Sequence, residues 1–185
     1  MAVVEVTPVV LTYNEDLNIG LTLESLRAFA RVVVVDSCST DRTEEIGRSF
    51  ANVVWFQRPF DDHVSQWRFA LRETGVQTEY VLALDADMSV SPALAEEVAE
   101  VVRRGGVDAG LIPVEYRVRG VRLLGSLYPP ELRLLRRTAA GVNVAGHTQK
   151  FTVCGAIHRF RAPLIHDDRK PLERFVRAQL GYSEK

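Results

Sequence analysis

Four short apolar runs, at residues 3–11, 31–36, 52–57 and 80–85, recur through the first half of the chain, and two of them read Arg31-Val32-Val33-Val34-Val35-Asp36 and Tyr80-Val81-Leu82-Ala83-Leu84-Asp85. Runs this continuous belong to strands buried on both faces, unlike the alternating strands of a half-solvated antiparallel sheet. Between them the spacing turns helical. Leu17, Ile19, Leu21, Leu23 and Leu26 follow the first run, a helix reaching Phe50 follows the second, and residues 64–73 place Trp67, Ala70 and Leu71 inward. Strands alternating with helices at this spacing predict βαβ crossovers and an α/β fold with a mostly parallel sheet covered on both sides. Such sheets bind ligands at the carboxyl ends of their strands.

The second half is α+β in flavour. Ser91-Pro92 opens a helix that Gly105-Gly106 stops. Strands are expected over residues 109–118 and 132–135. No repeat, low-complexity tract or linker divides the 185 residues, and a chain of this size buries roughly 70% of its unfolded surface, so one domain over 1–185 is expected. With 23 basic and 24 acidic side chains the formal charge is −1, which leaves no basic footprint for nucleic acid. Cys38 and Cys154 form no metal-type cluster and read as reduced thiols of a cytoplasmic protein. The start has no signal-peptide pattern, and no stretch reaches the roughly 18 apolar residues of a membrane span. The end, Tyr182-Ser183-Glu184-Lys185, lies inside a helical pattern without a Gly or Pro stop, so a C-terminally longer parent chain is expected.

The polar residues at the strand ends carry the chemistry. Asp85-Ala86-Asp87 ends the fourth apolar run. If the chain stays extended, residues i and i+2 point the same way, roughly 7 Å apart. Two such carboxylates suit a hard divalent ion, Mg²⁺ or Mn²⁺, completed by substrate phosphates. The alternative is a solvated strand-end turn. Asp36 ends the second run ahead of Ser37-Cys38-Ser39-Thr40-Asp41 and could accept hydrogen bonds from a base or ribose, or cap its own loop. Thr12-Tyr13-Asn14-Glu15 follows the first run. Arg58, Arg68, Arg133 and Arg136 are candidate partners for a diphosphate, and Trp67 reads as core.

Three stretches in this order, Val10-Leu11-Thr12-Tyr13-Asn14-Glu15, Val34-Val35-Asp36-Ser37-Cys38-Ser39-Thr40-Asp41-Arg42-Thr43 and Leu84-Asp85-Ala86-Asp87, resemble family 2 glycosyltransferases of the GT-A fold. Tyr128-Pro129-Pro130-Glu131-Leu132-Arg133-Leu134-Leu135-Arg136-Arg137, Gly146-His147 and Leu164-Ile165-His166 are similar to later landmarks of the lipopolysaccharide-core glucosyltransferase branch. The resemblance implies a three-layer α/β/α sandwich. Residues 1–89 would bind a nucleoside-diphosphate sugar, UDP-linked by preference, and residues 90–185 an acceptor that is a cell-envelope glycan or lipid-linked. Thr12, Tyr13, Asn14, Glu15, Asp36, Arg68, Asp85 and Ala86 would contact the donor. Asp85, Asp87 and His166 would hold Mn²⁺ or Mg²⁺. Glu131 is the first choice of base for an inverting transfer, with Asp168 and Asp167 as alternatives. Two positions depart from the family pattern: Cys38 stands where a glycine is common, so the loop reaches positive φ less readily, and Thr148 stands where a glutamate often follows Gly146-His147.

Arg169-Lys170-Pro171-Leu172-Glu173-Arg174-Phe175-Val176-Arg177-Ala178-Gln179-Leu180 is basic and amphipathic, suited to peripheral contact with an anionic membrane or to packing on the domain. Rival readings are a non-catalytic nucleotide-sugar-binding or scaffold domain, and a sugar nucleotidyltransferase, which would need a Gly-rich basic loop after the first strand. No G-x-G-x-x-G follows the first strand and no G-x-x-x-x-G-K-[ST] motif occurs, which disfavours dehydrogenase and Walker-type ATPase readings.

Overall fold

A computed structural model of the protein describes residues 5–125, 129–145, 148–171 and 173. The four apolar runs form β1 (Val6–Thr12), β2 (Val32–Asp36), β3 (Val53–Gln57) and β4 (Tyr80–Asp85). Their connections are α1 (Ile19–Ser25), α2 (Thr43–Arg48) and α3 (His63–Arg72). After β4 come β5 (Met88–Val90), α4 (Pro92–Arg104), β6 (Ala109–Ile112), β7 (Val114–Val118), β8 (Val121–Arg122) and β9 (Glu131–Arg136). The described chain ends with β10 (Ala140–Ala145), β11 (Thr148–Val153), β12 (Ile157–Arg159) and β13 (Leu164–Asp168).

The central seven-stranded sheet has the order β12-β6-β9-β4-β1-β2-β3. β1 lies parallel to β2 and β4, β2 to β3, and β12 to β6, while β9 runs antiparallel between β4 and β6. Alternate residues of each apolar run feed opposite faces, as a pleat requires. Val10, Val32, Val34, Leu82 and Leu84 pack with Ile19 and Leu23 of α1 and Leu94, Val98 and Val101 of α4. Val9, Val33, Val35, Val81 and Ala83 pack with Val64, Trp67, Ala70 and Leu71 of α3 and with Val142 and Phe151 of the β10–β11 hairpin. The three expected layers are present, with a β-hairpin sharing one of them. Trp67 is fully buried, its ring edge-on to Phe151 at 5.1 Å, which confirms its place in the core.

Several expectations are corrected. The strand expected over residues 109–118 divides at Pro113, which has no N–H to continue a ladder. β6 stays in the central sheet and β7 joins a second, four-stranded sheet of order β5-β13-β7-β8. The first helix is shorter than its leucines suggest, and Leu17 and Leu21 are exposed. The helix expected to reach Phe50 ends at Arg48, and no side chain caps its start at Arg42. In contrast, α4 starts at Pro92 with Ser91 accepting from the Leu94 N–H and stops at Gly105 with φ 70°, as read from sequence. Strands β5, β8 and β10–β13 had not been expected. Gly146-His147, Tyr128 and most of the basic C-terminal segment lie outside the described residues. Among the described residues no helix is long and apolar enough to cross a membrane.

Candidate functional site

Register brings the polar strand ends together. Thr12 pairs with Asp36, Leu11 with Asp85 and Asp36 with Gln57, all at the carboxyl edge of the parallel strands. The loops beyond β1 and β2 are tied to each other. Ser39 Oγ accepts from the Asn14 N–H (2.9 Å), Asn14 Oδ1 from the Thr40 N–H (2.8 Å), and Thr43 Oγ1 from the Glu15 N–H (2.7 Å). Asn14 and Cys38 hold φ of 52° and 63°. Cys38 therefore takes the left-handed conformation that its side chain disfavours, because the surrounding hydrogen bonds fix the turn.

Asp36 is fully buried, and its carboxylate accepts from the Ser39 N–H and hydroxyl and, at 3.4 Å, from Gln57. It holds its own loop, the capping alternative, and the cleft wall beside it is made by Ser37 and Cys38. Thr12 is also buried, and its hydroxyl, on the cleft lining, has no partner among the described residues.

At the fourth strand end the chain turns at Ala86-Asp87 instead of staying extended. The i, i+2 argument therefore fails, and the two carboxylates take different partners. Asp85 Oδ2 is 3.1 Å from the guanidinium of buried Arg133, which also holds Glu131 at 2.6 Å. Burial works against the Arg133 charge, but Asp85 and Glu131 keep its pKa above the usual value. Asp87 Oδ2 lies 3.4 Å from His166 Nε2 on β13, and the His166 ring packs on Tyr116, 4.8 Å between centroids. Asp87 Oδ1 is buried without a partner among the described residues. Burial pushes the Asp87 carboxyl above its ordinary range; His166 opposes this and Asp85 adds to it.

A third cluster joins the first loop to the end of β13. Asn18, 1% exposed, donates through Nδ2 to Glu15 (2.8 Å) and Asp168 (3.1 Å) and accepts from the Arg169 N–H (2.9 Å). The Lys170 ammonium is ion-paired with Glu15. Burial raises the Glu15 pKa, Lys170 opposes the rise and Asp87 adds to it. Lys170, at the start of the segment read as suited to membrane contact or to packing on the domain, packs here against the domain and neutralises this acidic loop.

A cleft of about 700 Å³ opens at the strand ends, and its lining includes Tyr13, Glu15, Cys38, Phe60, His63 and the Asp85–Asp87 turn. Tyr13 and Phe60 are half exposed at its edge. Gln66, fully buried, also lines it; it donates to Ser37 Oγ and the Arg58 carbonyl and accepts from Arg58. Sequence reading missed Gln66 and Asn18. The available signal was a polar residue at an inward helical position beside Trp67 or Ile19. Arg68 does not join this cleft: it is exposed on α3 and lines another. Arg58 is held by Asp61, and Arg136 by Asp108, Glu79 and the Tyr80 hydroxyl.

The donor set fits a hard divalent ion bound jointly with a ligand. Among the described residues no three His, Cys, Asp or Glu side chains gather as a metal centre. The buried, unpartnered Asp87 oxygen beside an imidazole is what a site expecting one or two protein donors and substrate phosphates would show.

The sequence model described as "Glycosyl transferase family 2" matches residues 8–164. The chain belongs to this family. The lipopolysaccharide core biosynthesis glycosyltransferase LpsC of Rhizobium meliloti (strain 1021) is 31% identical over 181 residues, covering 86% of this chain and 64% of LpsC. The chain thus spans less than two thirds of that relative's length. Among solved structures, S. aureus TarS 1-349 in complex with UDP-GlcNAc superimposes with a TM-score of 0.64 at 18% identity, over 90% of this chain and 59% of that one. The same fragment in complex with UDP gives 0.55 at 26% identity, over 68% and 38%. The fold of this family 2 chain is GT-A.

Proposed function

We propose that the protein transfers a hexose from a nucleoside-diphosphate sugar, UDP-linked by preference, to a cell-envelope glycan or lipid-linked acceptor with inversion. The observation that carries this is the Asp87 carboxylate, buried with one unpartnered oxygen and set between His166 and a 700 Å³ cleft walled by two interlocked strand-end loops. The UDP and UDP-GlcNAc complexes of TarS support the donor class, and LpsC supports the acceptor class. Residues 1–89 serve the donor and residues 90–185 the acceptor in one domain. The site of action is cytoplasmic, at the inner membrane face.

Asp87 and His166, with Asp85 alongside, would hold Mn²⁺ or Mg²⁺, which when bound supplies Lewis-acid stabilisation of the departing diphosphate. The chain's own groups do the remainder. Tyr13 and Phe60 offer ring faces to the base at the mouth of the cleft. Thr12, Glu15 and Ala86 line the cleft, Asn14 ties its two loops together, and the buried Asp36 keeps the second loop in place. Arg133 fixes Asp85 and Glu131 relative to each other. Glu131 takes the proton of the acceptor hydroxyl as its oxygen bonds to the anomeric carbon and the bond to the diphosphate breaks. Asp168 is the alternative base.

Calorimetry with UDP, GDP, dTDP and CMP, each with Mn²⁺ or EDTA, tests the reading. Metal-dependent binding of UDP that Asp87→Ala abolishes is expected. Binding that is the same in EDTA, or unchanged in the variant, would overturn the metal assignment, and no binding of any nucleotide would favour a scaffold. Glu131→Gln and Asp168→Asn then separate the bases, since the correct one loses turnover by about 10²-fold or more with donor affinity intact.

A further inference from the structure

α3 presents its first turns, through His63 and Gln66, to the donor cleft, so its last turn points to the opposite edge of the sheet. β9 ends at that same edge, because Arg136 pairs with Tyr80 at the beginning of β4. Here a separate cleft of about 450 Å³ is lined by Arg68, Arg72, Arg137, Thr138 and the β10 residues Gly141-Val142-Asn143. No Asp or Glu is among its lining residues.

Arg68 and Arg72 are four residues apart on one helix face, a like-charge spacing that works against the helix. Neither guanidinium makes a hydrogen bond or ion pair among the described residues. Arg137 donates through Nε to the Thr78 carbonyl (3.3 Å), which leaves its terminal nitrogens for the cleft. Glu73, next to Arg72 in sequence, is not among the lining residues, and Glu79 accepts the Arg137 N–H with its carbonyl and sends its carboxylate to Arg136. Four other arginines do have a carboxylate within three or four residues: Arg27 pairs with Glu24, Arg42 with Glu45, Arg48 with Glu44 and Arg58 with Asp61. In this cleft three arginines from α3 and the turn after β9 share one lining that holds no carboxylate.

We propose that this cleft is a binding site for a phosphate group, gripped by the guanidinium forks of Arg68, Arg72 and Arg137 with the Thr138 hydroxyl as a further donor. A lone carboxylate satisfies one guanidinium, whereas a phosphate offers the charge and the several oxygens that a cluster can share. The chain's formal charge of −1 does not favour nucleic acid as the source of that phosphate. The group is carried by a soluble phosphorylated compound or by a lipid headgroup. Either would anchor at the far side of the sheet from the donor, independently of the chemistry proposed there.

The test is titration of the full chain with inorganic phosphate at constant ionic strength in EDTA, compared with the Arg72→Gln/Arg137→Gln double variant. The double variant should bind phosphate at least about tenfold more weakly while its response to UDP with Mn²⁺ stays that of the parent, so that failure here and failure of the donor site are told apart. Arg72→Glu should abolish the phosphate response and raise the melting temperature of the free chain by relieving the Arg68 repulsion. Flotation with phosphatidylglycerol against phosphatidylcholine vesicles distinguishes the sources: anionic-lipid binding that the double variant loses assigns a headgroup, and loss of phosphate binding without any vesicle binding assigns a soluble compound. Parent and double variant responding alike to phosphate would overturn the site.

Discussion

At the scale of single residues, the candidate site is a set of groups held in states that cost stability. Asp87 is the clearest case. Burial raises its carboxyl above the ordinary value of 3.8, so the ionised form is harder to carry in the fold than in the unfolded chain. The sign follows from linkage: the penalty is complete above the raised folded value and is relieved as the pH falls toward 3.8. Asp87→Asn keeps the shape and removes the charge. The variant should therefore melt higher than the parent at pH 7–8 in EDTA, with the difference shrinking toward pH 4, and should lose any stabilisation by Mn²⁺ with UDP. A lower melting temperature across that range would mean that Asp87 supports the fold. Cys38 shows the same economy in the backbone, since it holds φ 63° at a non-glycine residue to keep the loop over the cleft. The motif pattern exposed these positions in the sequence. What it hid was the turn at Ala86-Asp87, because an extended strand end and a tight turn have the same composition.

At the scale of elements, legibility followed locality. β4 and α4 were readable to the residue because their signals are local: an unbroken apolar run ending in Asp85, and Ser91-Pro92 with Gly105 as stop. β13 was not, because Leu164-Ile165-His166-Asp167-Asp168 is largely polar and becomes a strand through pairing with both β5 and β7, which are distant in sequence. β10 and β11 form a hairpin by pairing with each other, and cover Trp67 through Phe151. Packing between α2 and β3 is similarly invisible in a window of sequence, and it gives a contrast between two helical glycines. A Cβ on Gly47 would collide with the Trp55 ring, whereas a Cβ on Gly20 meets Ile46 at an ordinary 3.5 Å. Gly47→Ala should destabilise by about 1–3 kcal/mol through overpacking, while Gly20→Ala should stabilise by up to about 1 kcal/mol through helix propensity. Urea denaturation of the pair checks both, and equal effects would mean that Trp55 moves aside freely.

At the scale of the whole molecule, the end of β13 must return to the loop after β1 for the site to exist, and one cluster performs that closure. Asn18 bridges Glu15 to Asp168 and the Arg169 backbone, and Lys170 covers the Glu15 carboxylate. Lys170 and Glu15 are each 14% exposed, so solvent screens their attraction little. Lys170→Gln would leave Glu15 as a buried carboxylate beside Asp87 without its counter-ion. With the opposing ammonium gone, the Glu15 pKa, already raised by burial, must rise further. The loss of stability is then greatest where Glu15 is ionised and fades as protonation removes the charge. We expect Lys170→Gln to cost about 2–4 kcal/mol at pH 8 and much less near pH 5, measured by urea denaturation at both values. Adding Glu15→Gln should recover most of the loss at pH 8, because the stranded charge and its partner are then both absent. A pH-independent loss that the second substitution leaves unchanged would show that Lys170 acts through packing of its stem, and that Asn18 alone closes the molecule.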